Sequence, residues 1–394
     1  MNLKKTYVFF QNFNILLAVY VLVIAAASLA EYLKGTKVFS QNEYTHYNNF
    51  VIFKQSFYNL VQGKNLYIAY PDLHWDYFKY SPAFSILFAP LAILPDLVGL
   101  ILWNLLNGLT LFLAIRFLPH LSDKQKMWIL WFILLELLTS VQNAQSNGLM
   151  AALVVLTFNA LENKQEASAA LFLGLSVFIK IFSGAALLLV FFYPRKLKFF
   201  AYFIIWSAIF VLLPLTVIYP SQLVALYNSW LVLLSNDHTI SLGISMLGWL
   251  QTWFGWMVSK YAVVLAGGVV LALSFLLKRR YRDPEFRLLM LASLLIWMVI
   301  FNHKAESPTY IIAMTGVGIW YFMQPKQPGN LVLLWLAFIF VSLSPTDLFP
   351  ATLRRELVNP YVLKAVPAIL IWFRIQGQLF FENYNNRYAT RNSG

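Results

Sequence analysis

The chain has no cysteine, so disulfide staples and thiolate metal sites are excluded. Five histidines leave little from which to build a zinc site, and no metal is expected. Charge is scarce: 11% of residues are Asp, Glu, Lys or Arg, against about 25% in a soluble domain. There is no P-loop, no dinucleotide-binding glycine motif and no HExxH. No repeat of 20–50 residues, linker or soluble domain stands out. These absences leave no soluble nucleotide-driven chemistry and no cofactor, so any activated substrate has to come from the membrane.

What is abundant is apolar surface. The 394 residues are 60% hydrophobic, with a mean hydropathy of +0.66. A soluble core of this size cannot hide so much, so the fold class is all-α, a polytopic membrane helical bundle. Apolar runs predict about twelve transmembrane helices, near 10–31, 97–117, 127–141, 146–161, 167–180, 182–194, 199–219, 260–278, 286–302, 308–323, 329–344 and 359–375. They form a single integral membrane domain, 1–394. A long first extracytoplasmic loop covers about 32–96, and a second sizeable outer loop about 220–259. The start, MNLKKTYVFF, predicts a basic lead into an uncleaved first span.

The net charge of +13 sits in short clusters between apolar runs. Such clusters are topology signals and contacts to membrane lipids, and no nucleic acid is expected. RKLK (195–198) and KRRYR (278–282) fall on one side if both termini are cytoplasmic in a multi-pass protein of the inner (cytoplasmic) membrane. PAFSILFAPLAILP (82–95) is too short to span and is expected as an interfacial helix.

Polar residues then gather on the outer side. The first loop carries Glu43, His46, Asn48, Asn49, Asp72, His74, Asp76 and Lys79; QNAQSNG (142–148) joins two spans; SNDHTIS (235–241) lies in the second loop. Lys180 and the group His303, Lys304, Glu306 and Ser307 lie at the apolar boundary, where ionisable groups are costly and face a cavity or a partner. Lys and His at one depth suit a phosphate, and a carboxylate in a facing loop suits a general base. Glu136 lies deeper, as a protonated or hydrogen-bonded carboxyl between helices.

The order of motifs resembles glycosyltransferase family 87. GKNLY (63–67), FKYSP (78–82), APLAILP (89–95) and WNLLNGL (103–109) match its first-loop pattern. AQSN (144–147) is similar to its Gly-Gln-x-Asn turn with Ala144 in place of Gly, and FIKIFSG (178–184) to its Lys-Pro turn with Ile181 in place of Pro. NHKAESPTYIIAM (302–314) is similar to its late His-bearing segment. The resemblance implies a GT-C-like fold and a polyprenyl-phosphate-linked sugar as donor. It also implies a lipid or glycan acceptor and inverting transfer on the outer side of the membrane. Lys180, His303 and Lys304 would bind the donor phosphate. Asn48, Asn49, Tyr80, Gln145, Asn147 and Glu306 would line the substrate site. The family commonly has an Asp where this chain has Asn48 or Asn49, and an amide cannot act as a base. Glu43, the nearer in sequence, or Asp76 would then be the catalytic carboxylate. Tyr77, Phe78, Tyr80 and Trp75 would stack on sugar or rest at the lipid interface. The alternatives are a transporter or flippase of a lipid-linked sugar, or a catalytically inactive partner.

Overall fold

A computed structural model describes residues 12–39, 41–236 and 242–381 of the chain. Helix makes up 73% of it, and the one sheet among the described residues is a two-stranded hairpin. The chain is an all-α bundle.

The principal helices are α1 (Phe13–Leu33), α2 (Asn48–Val61), α3 (Asp96–Arg116), α4 (Asp123–Gln142), α5 (Asn147–Glu162), α6 (Glu166–Ile179) and α7 (Lys196–Leu212). They continue with α8 (Pro220–Asn236), α9 (Met246–Phe254), α10 (Lys260–Leu273), α11 (Pro284–Ile300), α12 (Tyr310–Phe322), α13 (Pro328–Ala337) and α14 (Val366–Phe381). Local sequence sets several ends. Ser122 and Gln125 form a capping box at the start of α4, and Asp283 with Pro284 starts α11. Helix α2 stops at Gly63, whose φ of +68° is the left-handed conformation glycine tolerates. There Lys64 N–H donates to Asn59 O at 2.8 Å.

Burial sorts the helices. α5 and α12 are buried nearly all round and form the interior. α7 buries only Phe199 and Phe210, leaving Leu197, Ile204, Ile205 and Ile209 exposed. α10 likewise buries only Val263, Gly267 and Leu271. An apolar helix buried along one stripe needs an apolar solvent on its other faces, which a bilayer supplies. Among the described residues, Phe13–Leu33, Asp96–Arg116 and Lys196–Thr216 are long and apolar enough to cross a membrane, and six further apolar helices are shorter.

Two expected spans are not continuous helices. Residues 182–194 form a 3₁₀ stretch, Ile181–Ala186, then one turn, Leu187–Val190. The Ser183 hydroxyl bonds back to Lys180 O at 2.8 Å and Ser176 Oγ at 3.0 Å, holding the chain in this tight path. In the last span, helix begins only at Val366, because Val362 takes a left-handed φ of +53° just after Pro360. Residues 82–95 form two short helices, Pro82–Leu87 and Ala89–Ala92, neither long enough to cross.

The two expected outer loops contain structure of their own. The first holds an antiparallel hairpin, β1 (Thr36–Phe39) with β2 (Asn42–Thr45), followed by α2. The second holds α8 and α9. Trp230 of α8 donates its indole N–H to Lys79 O at 3.1 Å, docking one loop on the other. Gly243, at φ +54°, lies against the His303 carbonyl, where an added Cβ would sit 2.4 Å from the oxygen. Ile244 N–H then donates to Ala305 O at 2.9 Å. Two of the loop aromatics pack within the loop itself. Phe78 is buried, and Tyr80 stacks on Phe84 at 4.8 Å and meets Phe53 edge-on at 4.9 Å. These rings meet edge-on or offset, as aromatic pairs prefer. The expectations on Lys4, Lys5, Arg387, Arg391 and residues 237–241 lie outside the described residues.

Candidate functional site

Helices α5 and α6 are antiparallel neighbours joined by a short turn, so the start of α5 and the end of α6 share one end of the bundle. That end collects the polar residues. Lys180 leaves α6 in an extended conformation (φ −138°, ψ 111°), which frees its side chain to turn across the helix end. Its Nζ donates to Asn147 Oδ1 at 2.7 Å. Asn147 Nδ2 donates to Gln145 Oε1 at 2.5 Å, and Gln145 Nε2 donates to Glu306 Oε2 at 3.0 Å. One hydrogen-bond chain thus joins an ammonium to a carboxylate through two amides, using three segments distant in sequence.

The turn that presents Gln145 is held tightly. Ala144 sits at φ +48°, and its carbonyl accepts the Trp103 indole N–H at 2.9 Å. Asn49 Nδ2 donates to Asn143 O at 2.8 Å. Tyr80 closes one side: its hydroxyl lies 3.5 Å from Ser146 Oγ, and its ring centre is 5.9 Å from Lys180 Nζ. Burial pushes the Tyr80 phenol well above its ordinary range, with the Ser146 contact pulling the other way and the Glu306 and Asp76 carboxylates adding to the rise.

Glu306 begins a 3₁₀ turn, Ser307–Thr309, in a reciprocal cap with Thr309. His303 and Lys304 lie on the same short connection, with Lys304 N–H bonded to Asn302 Oδ1 at 3.0 Å. Below it is a buried ion pair. Lys364 Nζ meets Glu136 Oε1 at 3.0 Å and also donates to Ser307 Oγ at 2.7 Å. The deep carboxyl of Glu136 is therefore hydrogen-bonded between helices, by a lysine that sequence reasoning passed over. An ionisable residue inside the apolar run YVLKAVPAILIW was the available signal, because a buried acid needs a partner. Ser146 was also missed, as a small residue in a polar turn.

The expected catalytic acids are placed differently. Asp76 meets Lys79 Nζ at 3.1 Å and flanks a groove of about 190 Å³ with Tyr44, Tyr70, His74 and Trp75. His74 Nδ1 lies 2.7 Å from Asp76 O; burial lowers the imidazole pKa, against an opposing pull from Asp76. Glu43 is exposed on β2, accepts the Thr36 hydroxyl at 2.9 Å, and has no contact with the Lys180–Glu306 chain among the described residues. The amides at the usual Asp position each make a contact with another segment of the chain. Asn48 is buried and accepts the Trp75 N–H at 3.3 Å, while Asn49 holds the 143–145 turn. The described residues contain no group of three His, Asp or Glu able to hold a metal.

A helical bundle with apolar outer faces, whose polar residues converge at one end, defines a class, an integral membrane protein with a polar site at that end. The chain belongs to glycosyltransferase family 87, whose profile matches residues 78–301. The match includes Tyr80, Gln145, Asn147 and Lys180; Asp76 and Glu306 lie outside it. No curated protein matches the chain. Among solved structures, the crystal structure of ArnT from Cupriavidus metallidurans bound to undecaprenyl phosphate is similar at 12% identity and a TM-score of 0.39. That similarity covers 92% of this chain and 77% of that one.

Proposed function

We propose that the protein transfers a sugar from a polyprenyl-phosphate donor to a lipid or glycan acceptor, at the outer face of the cytoplasmic membrane and with inversion. The observation that carries this reading is the Lys180–Asn147–Gln145–Glu306 chain. It presents a cation, hydrogen-bonded to an amide oxygen and flanked by the Tyr80 ring, at the same end of the bundle as a carboxylate. In a single displacement the acceptor oxygen bonds to the anomeric carbon as the carbon–oxygen bond to phosphate breaks. The phosphate leaves with the electron pair, stabilised by Lys180 and by His303 and Lys304 on the Glu306 connection. A loop carboxylate takes the acceptor proton. Support for Asp76 over Glu43 in that role comes from its position beside Lys79 and Tyr80, with the Lys79 pair at 3.1 Å, whereas Glu43 is exposed on the hairpin and bonded to Thr36. Glu306, oriented by Gln145, would hold a sugar hydroxyl.

The transporter alternative needs polar groups along a path through the membrane. The deep pair Glu136–Lys364 is sealed, with side chains 0% and 5% exposed, and it braces the site end of the bundle. This favours the transferase.

The test is transfer by the purified protein in liposomes supplied with polyprenyl-phosphate sugars, with mass spectrometry of the lipid products. Comparison of lipid-linked glycans in cells with and without the protein identifies the acceptor. Product formation that Lys180→Gln abolishes supports the reading. Movement of intact lipid-linked sugar between leaflets, with no product, overturns it.

A further inference from the structure

A second cluster of charge lies at the far ends of α5 and α6. Glu162 ends α5 and Glu166 begins α6, one helix length from Asn147 and Lys180, or about 20–24 Å at 1.5 Å per residue. A cavity of about 710 Å³ opens there. Its lining includes six basic side chains, Lys164, Arg195, Lys196, Lys278, Arg282 and Arg287, and only the two carboxylates Glu162 and Glu166.

Both carboxylates are already engaged. Glu162 takes Arg287 in a two-point pair (2.5 and 2.9 Å), the Tyr193 hydroxyl at 2.5 Å and His120 Nε2 at 2.6 Å. Glu166 faces Arg195 at 3.5 Å and Lys198 at 3.7 Å. Lys164, Lys196, Lys278 and Arg282 have no carboxylate partner among the described residues. They reach the cavity from three separate connections in the chain. Cations gathered against the aromatic walls Phe191, Phe192 and Phe199 repel one another unless an anion lies between them. The start of α7 adds backbone N–H groups and the positive end of a helix dipole at the same place.

We propose that this cavity is a second binding site, for the phosphate ester headgroup of a membrane lipid. The shared chemistry is a phosphate anion. A lipid is favoured because the cavity opens at the start of α7, an apolar helix whose outer faces, with Leu197, Ile204 and Ile205, are exposed and call for bilayer lipid around this end of the bundle. The site is separate from the transfer site and does not depend on which carboxylate is the base. Its role is to seat an anionic lipid at the level of Lys196 and to hold α7 against α6. A soluble phosphate would satisfy the cations but does not require an apolar helix beside them.

The test uses the full protein in mild detergent and native mass spectrometry with phosphatidylglycerol, phosphatidylcholine and inorganic phosphate. The wild type retains phosphatidylglycerol in preference to phosphatidylcholine. The triple variant Lys164→Gln, Lys278→Gln, Arg282→Gln weakens that retention by about 100-fold, from three headgroup contacts. Glu166→Gln, which releases Arg195 and Lys198, strengthens it and serves as the readout if the triple variant does not fold. Equal retention by wild type and triple variant, or no gain from Glu166→Gln in its place, overturns the site. Full displacement of phosphatidylglycerol by millimolar inorganic phosphate overturns the lipid assignment in favour of a soluble phosphate.

Discussion

Lys180 donates to Asn147 across 2.7 Å, from the end of one helix to the start of its antiparallel neighbour. An amide oxygen orients the ammonium without neutralising it. The nearest carboxylate in the hydrogen-bond chain, Glu306, is two amides further on. The positive charge is thus fixed in place yet still available to an incoming phosphate, as a leaving-group stabiliser requires.

Replacing Lys180 with Gln keeps a donor for Asn147 and removes the charge. Transfer should fall by about 10²–10³-fold, the cost of losing one preorganised electrostatic contact. The KM for acceptor should change little, because the loss falls on the departing phosphate. Single-turnover rates with a polyprenyl-phosphate sugar measure it, and an unchanged rate would remove Lys180 from the donor site.

The two candidate bases separate in parallel assays. Asp76→Asn should lower turnover by about 10²–10⁴-fold, the usual contribution of a positioned base. Glu43→Gln should leave turnover within a few-fold of wild type, since its carboxylate is exposed and bonded to Thr36. The reverse ranking would assign the base to the hairpin.

Much of this was legible in the sequence because hydropathy and motif order act over short distances. The turns carrying Gln145, Asn147, Lys180 and Glu306 stood out as polar interruptions of apolar runs, and the structure joins those four side chains. What stayed hidden is pairing across the bundle. Nothing local to YVLKAVPA links Lys364 to Glu136, 228 residues away. The hairpin was equally hidden, because four-residue strands in a polar loop leave almost no periodic signal. The breaks at 181–190 and 359–365 come from hydrogen bonding and one left-handed residue, which hydropathy does not register.

Asn49→Asp would restore an acid near the usual family position, but the structure argues against a gain. Its Nδ2 is the donor to Asn143 O, and a carboxylate there places two acceptors face to face. The bond is exposed, so the 143–145 turn should loosen at a cost of about 0.5–1.5 kcal/mol, with Gln145 less firmly placed. Thermal melting and transfer assays together check this. A variant that melts like wild type and transfers faster would show the site tolerates an acid there.

Ala144 holds φ +48° in a fully buried position where the family pattern has Gly. Ala144→Gly relieves a left-handed conformation that costs about 1–2 kcal/mol. It also loses a buried methyl and loosens the unfolded chain, so stability should stay within about 1 kcal/mol of wild type. Ala144→Val adds a β-branched side chain in the same conformation and should destabilise strongly. Melting temperatures in detergent distinguish the two, and a Val variant as stable as Gly would mean the turn is free to relax.

The Glu136–Lys364 pair offers the sharpest separation of structure from chemistry. Both side chains lie almost wholly inside the bundle, and Lys364 also holds Ser307, the residue after Glu306. Removing one partner leaves a buried charge without its counterpart, typically at a cost of 3–5 kcal/mol. Lys364→Met and Glu136→Leu should therefore each lower stability by about that amount. The double variant should recover most of it, since an apolar pair of similar volume is often neutral in such a place. Activity should not recover with it. Without Lys364 to hold Ser307, the connection bearing His303, Lys304 and Glu306 loses its brace, and transfer by the double variant should remain about tenfold or more below wild type, a misplacement of around 1 Å being worth up to 10²-fold. The measurement is melting temperature beside turnover for the two single variants and the double. Full recovery of both in the double variant would make the pair a packing element with no bearing on the site.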